Sequence, residues 1–242
     1  MRGWWREITG LVLPVACGGC GRPRTELCEE CAAQLHGAPP RRVRPDPEPA
    51  GLPAVLAAAC YENAVRALLL AHKERGVLGL AGALGKALAG AVRAGAGPPP
   101  LPGPLLLVPV PSSRRAVAAR GHDPTRRIAL AAAAELRRAG TPASVAAVLR
   151  QRRRVADQSG LGAGDRRVNL AGALQVVPGG GRLLGTGRVV LVDDLLTTGA
   201  SLAEAARAID RAAGPERTGS GVRRAAVVAV SPSAFEINRN WN

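Results

Sequence analysis

The stretch VVLVDDLLTTGASLAEA (189–205) constrains this chain more than any other. An apolar, β-branched run reads as a buried strand, and RVVLVDD (188–194) closes it with two acids, Asp193 and Asp194. Small residues from Leu195 to Ser201 then lead into helix-forming sequence. At the carboxyl end of a parallel strand this order makes a ligand crevice. Thr197, Thr198, Gly199, Ala200 and Ser201 can wrap an anion with backbone N–H groups and hydroxyls, and the helix N-terminus adds its dipole. A phosphate suits that loop, and the two carboxylates would accept hydrogen bonds from the hydroxyls of a neighbouring sugar. As simple helix caps the adjacent acids would repel one another. A P-loop is excluded because no G-x4-G-K-[ST] occurs, and the glycine-rich GGGRLLGTG precedes the strand instead of following it, which excludes a dinucleotide fingerprint.

A second motif is CGGCGRPRTELCEEC, in which Cys17, Cys20, Cys28 and Cys31 have C-x2-C-x7-C-x2-C spacing. Each C-x2-C pair lets two thiolates converge on one tetrahedral ion, and the intervening glycines permit tight turns with amides directed at sulfur. The expectation is a structural Zn2+ with four protein ligands and no open position for a catalytic water. Two disulfides would need an oxidising compartment that nothing else in the sequence supports. A thioredoxin-like role would need the motif at a strand-to-helix turn. Cys60, inside AVLAAAC, reads as a core thiol. The beginning, MRGWWREITGLVLPVAC, imitates a secretory leader, but Glu7 and Pro14 interrupt it; residues 4–13 read as a short amphipathic helix, and the expected location is cytoplasmic. No run of apolar residues is long enough to suggest a membrane span.

Along the rest of the chain, 37–53 is rich in Pro and Arg and reads as a linker. Strands are expected at 54–61, 105–111, 143–149, 188–194 and 222–230. Helical patterns occupy the two stretches between 63 and 96, about 124–139, and LAEAARAIDRAAG. Asp123 followed by Pro124 predicts a capped helix start, in preference to a His122–Asp123 base. Residues 150–170 read as one long loop, and SAFEINRNWN (233–242) as a tail. The resulting domains are a knuckle (1–36), the linker, an α/β domain (54–232) with a largely parallel sheet, and the tail.

The chain carries 33 Lys plus Arg against 18 Asp plus Glu, a formal charge of +15. Only Lys73 and Lys86 are lysines; aromatics make up 2% of the residues, too few for a base-stacking stripe. Such charge invites a polyanion, though Ala, Arg, Gly and Pro enrichment also follows from biased coding DNA.

The 189–201 segment resembles the phosphoribosyltransferase signature, in which two acids and T-T-G-x-[ST] hold the ribose and 5′-phosphate of phosphoribosyl pyrophosphate (PRPP). Three further pieces narrow the resemblance to the ComF family, named for competence: the cysteine knuckle, VPVPSSRRAVAARG (108–121), and QSGLGAGDRRVNLAGAL (158–174). CYENAVRALLLAHKERG (60–76) is also similar to a family stretch. The resemblance implies a type I phosphoribosyltransferase fold, a mostly parallel sheet flanked by helices with an N-terminal zinc-binding knuckle. It implies a reaction in which an acceptor, a nitrogen nucleophile, displaces pyrophosphate from C1 of PRPP, with Mg2+ as the second metal. It assigns Asp193, Asp194 and Arg114 to catalysis. Ser112, Ser113, Thr197, Thr198, Gly199, Ala200, Ser201 and Arg166 join the acids in binding PRPP. Gln158, Arg166 and Asn169 match family positions in a closing loop. Arg115, Arg120 and Lys73 read equally as helpers or as surface charge. Arg120-Gly121-His122-Asp123-Pro124 departs from the family's R-G-F-N-Q, which removes neutral hydrogen-bonding groups from the acceptor side. Two other readings stay open: a PRPP-responsive adaptor without turnover, and a DNA-handling protein whose partners are single-stranded DNA or the competence machinery.

Overall fold

The computed structural model describes residues 15–97, 103–153, 170–213 and 222–232. Its centre is a six-stranded sheet: β1 (Arg41–Val43), β2 (Ala54–Cys60), β3 (Leu105–Pro109), β4 (Ala143–Val145), β7 (Arg188–Leu196) and β8 (Arg224–Val230). The order across the sheet is β1-β2-β8-β7-β3-β4, parallel except for the antiparallel β1–β2 pair. A two-stranded antiparallel hairpin, β5 (Leu149–Gln151) with β6 (Leu174–Val176), stands apart.

The middle strands are continuous apolar runs because both of their faces are covered. All five residues of β3 are buried, as are six of the seven in β8. On one face Val190 and Val192 of β7 pack with α2 (Asn63–Lys73), α3 (Ala81–Ala96, entered through a 3-10 turn at Leu78–Leu80) and α5 (Pro124–Arg138). On the other face Leu191 packs with Leu202, Ala205 and Ile209 of α7 (Ala200–Ala213). Alternating strand parity accounts for the division. The shorter helices are α1 (Glu29–His36), α4 (Arg114–Arg120) and α6 (Gly180–Leu184).

From β3 the chain steps outward to β4, then returns to β7 and β8 on the other side of β3. The direction of winding therefore reverses between β3 and β7. In an open parallel sheet that switch point leaves a crevice beyond the strands' carboxyl ends. The loops that emerge there are 110–113 after β3 and 197–199 after β7.

The sheet, its helices and their order agree with the α/β expectation. Five local features differ from it. Residues 37–53 are no linker: β1 pairs along β2, and Pro45, Pro49 and Pro53 are buried. The expected strand 143–149 is two short ones, because Ala146–Val148 turns the chain out of the main sheet into the hairpin. The basic loop after β3 is largely helical, with Ser113 capping α4 by accepting from the Ala116 amide at 3.1 Å. The long loop of 150–170 has an ordered base, with the Arg152 amide bonded to the Ala173 carbonyl. β7 runs two residues beyond Asp194. The Asp123 cap with Pro124 at the first helical position is present as expected. The helix at 4–13 and the tail at 233–242 lie outside the described residues. Among the described residues no single helix is long and apolar enough to cross a membrane.

α3 and α5 approach closely because their contact is built from Gly85 against Ala131 and Ala132. A Cβ on Gly85 would lie 2.5 Å from the Ala131 Cβ and 2.8 Å from the Ala132 amide nitrogen. Gly85→Leu is expected to lower stability by about 1–3 kcal/mol through overpacking, read as a drop in Tm against the wild-type chain.

Candidate functional site

The cysteine cluster forms first in sequence. Turns bring Cys17 and Cys20 together: the Cys17 amide bonds the Arg22 carbonyl and the Gly21 amide bonds the Cys17 carbonyl, both at 2.8 Å. Cys28 is the N-cap of α1 and Cys31 sits in its first turn, so the helix directs its positive end toward the thiols. All four Sγ atoms lie within 4.8 Å of one another. Tetrahedral Zn–S bonds of about 2.3 Å require sulfurs about 3.8 Å apart, so this donor set fits Zn2+. A Cβ on Gly19 would meet the Cys31 Sγ at 2.7 Å, which explains the glycine. Burial works against ionising Cys17, yet the amides of Cys28, Cys20 and Gly19 bring its thiol down to about 6. One thiolate is thus already favoured before a metal arrives. Burial and thiol–thiol hydrogen bonds push Cys31 up.

The cluster is no isolated knuckle. Cys17, Cys28, Cys31 and Leu35 share one core with Ala64, Leu68 and Ala71 of α2. A Cβ on Gly18 would be 2.8 Å from the Leu80 Cδ1 and 3.3 Å from the Ala71 Cβ.

At the crevice, Asp193 and Asp194 lie inside β7, so consecutive side chains leave opposite faces of the sheet. Asp194 is buried and takes the Lys73 ammonium at 2.7 Å. Asp193 turns back to accept its neighbour's amide at 2.8 Å. The Asp194 charge raises the Lys73 pKa against the burial of the ammonium. Burial, and then the charge on Asp194, push the Asp193 carboxyl well above its ordinary value, against the pull of Lys73.

The small-residue loop follows. Gly199 adopts φ +73° and its amide-bearing turn starts α7, with the Ala203 amide bonded to the Gly199 carbonyl. A Cβ there would also lie 3.1 Å from Leu52 and 3.2 Å from Pro45, so the strap after β1 closes one side of the loop. Thr197 and Thr198 are half-buried, Ser201 is half-buried on α7, and Ala200 packs with Leu170 and Ala173, where the 150–173 segment returns. Glu204, buried on α7, accepts the Leu174 amide at 2.9 Å and pairs with Arg207. Burial opposes its ionisation, but these bonds bring the carboxyl below its ordinary value.

On the β3 side, Ser112 is half-buried, Ser113 is occupied as a cap, and Arg114 and Arg115 are exposed. Arg120 grips Glu74 through two bonds of 2.9 and 2.6 Å. His122 contacts the Arg120 and His72 carbonyls and stands edge-on to the buried His72 ring, 5.8 Å between centroids. Gln158, Arg166 and Asn169 lie outside the described residues, so the closing loop contributes no geometry.

Lys73 is therefore tied to the candidate site through Asp194, which its helix-end position alone left open; that it is one of two lysines in an arginine-rich chain was the available signal. Glu74, Leu52 and Pro45 carried no signal in the sequence, because their partners are distant along the chain. No family model and no curated protein matches this chain.

Two outcomes are expected. The purified chain should carry about one zinc per molecule by elemental analysis, and Cys28→Ser should lose it. Asp193→Asn should raise stability at neutral pH, because the fold disfavours ionisation of this carboxyl while the unfolded chain does not. The carboxyl's folded pKa is raised, so the penalty is absent below the unfolded value and grows as pH climbs toward the folded one. The variant's advantage in denaturant titrations should thus shrink steadily as pH falls to the ordinary carboxyl range.

Proposed function

We propose that this chain binds PRPP at the β3–β7 switch point and acts as a phosphoribosyltransferase of the type I fold. What supports the reading is one juxtaposition. Two acids near the carboxyl end of β7, the small-residue loop that follows it at a helix N-terminus, and the segment with Ser112 and Arg114 after β3 all lie at the same end of adjacent parallel strands. The resemblance of residues 189–201 to the phosphoribosyltransferase signature, and of the wider chain to the ComF family, supplies the substrate.

In this reading residues 197–201 hold the 5′-phosphate with backbone amides and hydroxyls. Asp193 and Asp194 accept hydrogen bonds from the ribose hydroxyls. Arg114 and its neighbours face the pyrophosphate, where positive charge stabilises the developing negative charge of the leaving group. The acceptor's lone pair forms the new bond to C1 as the C1–O bond breaks, and the pyrophosphate leaves with that electron pair. Mg2+ supplies charge neutralisation of the polyphosphate and favours oxygen ligands, for which Asp193 and Asp194 are the carboxylates at hand. The chain's own part is to position the reactants and exclude water.

Calorimetry with PRPP and Mg2+ tests the proposal. Wild type should bind, and Asp193→Asn/Asp194→Asn should weaken binding at least about tenfold, or about 1.4 kcal/mol. No binding by wild type, or equal binding by both, sinks it. Release of pyrophosphate with an added acceptor separates an enzyme from an adaptor that binds without turnover.

A further inference from the structure

Three consecutive charged residues end α2, and each reaches a different part of the molecule. Lys73 pairs with Asp194 on β7. Glu74 takes Arg120 at the end of α4. Arg75 donates to the Gly18 carbonyl, inside the first C-x2-C turn, at 3.2 Å, and to the Ala67 carbonyl at 3.3 Å. The same helix forms the floor of the cysteine cluster, through Ala64 and Ala71 beneath Gly19 and Gly18. The cluster thus lies along one short, rigid element whose last residue pairs with Asp194.

We propose that the metal-loaded cysteine cluster sets the position of Lys73 over Asp194, making Gly18 and Arg75 positioning residues for the crevice. α2 is 11 residues long, about three turns, too short to bend appreciably between its ends. A shift of the cysteine turn moves Ala71 directly, and Lys73 is two residues further on. Without four thiolates on one ion, the turn around Gly18 is held by backbone bonds, its packing on Leu68, Ala71 and Leu80, and the exposed Arg75 latch, with no covalent tie between the two C-x2-C pairs. The ammonium then loses its fixed approach to the buried carboxylate. The electrostatic consequence falls on the crevice: Lys73 offsets Asp194, and a freed carboxylate repels an arriving polyanion. That last step rests on the anion-binding reading above; the coupling of cluster to lysine does not.

Lys73 and Lys86 are the only lysines of the chain, so amine acylation followed by peptide mass spectrometry reads the lock with an internal control. Lys73 is one-third exposed and ion-paired, whereas Lys86 is exposed on α3. Acylation needs the unprotonated amine, so the ion pair protects Lys73. The zinc-loaded wild type is compared with chelator-treated protein and with Gly18→Val, which keeps all four cysteines but forces the turn away from Leu80 and Ala71. The expected result is a Lys73 acylation rate several-fold higher in both, with Lys86 unchanged, the variant's zinc content and fold being checked by elemental analysis and circular dichroism. Arg75→Gln should show a smaller rise in the same direction. An unchanged Lys73 rate in a folded, zinc-containing Gly18→Val overturns the coupling, and so does an equal rise at both lysines, which reports general loosening. Calorimetry with inorganic pyrophosphate and Mg2+ then separates the two ideas. Wild-type binding that weakens about tenfold in Gly18→Val supports both. Wild-type binding that is unchanged in the variant overturns the electrostatic consequence for the crevice, while the acylation result decides the coupling. Absence of wild-type binding overturns the anion site while the acylation result still decides the coupling.

Discussion

The ion pair between Lys73 and Asp194 is the constraint around which the crevice is organised. A carboxylate as buried as Asp194 has given up most of its water, and a partner of opposite charge must compensate it. The partner comes from 121 residues away, so the pair is satisfied only when α2 is docked on the correct face of the sheet. Asp193, on the other parity, has no direct ion pair with Lys73 and accepts its neighbour's amide. Its burial, and then the charge on Asp194, push the Asp193 carboxyl pKa upward.

Small residues decide how closely the parts approach this pair. Gly18 and Gly19 let the cysteine turn lie against α2, Gly85 lets α3 lie against α5, and Gly199 lets the strap of Pro45 and Leu52 lie against the loop after β7. At each place the missing Cβ is a packing requirement. Gly199 carries a second one, because its positive φ turns the chain from β7 into α7. Stability elsewhere rests on Leu and Val packed between sheet and helices, while these glycines determine how closely the neighbouring turns and helices approach.

The layers were legible in the sequence because their signals are local. The buried runs at 105, 188 and 222, the capped start at Asp123 and the helical periods between 63 and 96 each declare themselves within a dozen residues. What stayed hidden depends on distant partners. RRV becomes β1 only because β2 offers it a free edge, and no three-residue pattern announces that. ASVAAVL has the composition of one strand, yet main-sheet pairing stops at Val145 and the chain turns into the hairpin with β6. The site divides in the same way. The cysteine spacing and the acid–loop–helix order could be read directly, whereas the roles of Lys73 and Glu74 follow from a helix end meeting two remote carboxyl and guanidinium groups.

The chain's positive charge takes a different meaning once its arginines are placed. Arg188 and Arg224 both donate to the Ala96 carbonyl, at 2.8 and 3.0 Å, and so cap the carboxyl end of α3 from the amino ends of β7 and β8, opposite the crevice. Arg137 reaches the Ala143 carbonyl, Arg153 the Ala171 carbonyl and Arg75 the Gly18 carbonyl. Helix ends and turns leave carbonyls without backbone partners, and a planar guanidinium with five donors can satisfy them over a long reach. In a chain with few aromatic and amide side chains to do this, arginine serves as a general carbonyl cap. Capping leaves each guanidinium its charge but fixes it at a helix end or turn. The part that bears on polyanion binding is the subset exposed around the crevice, Arg114 and Arg115 foremost, while Arg120 is already committed to Glu74.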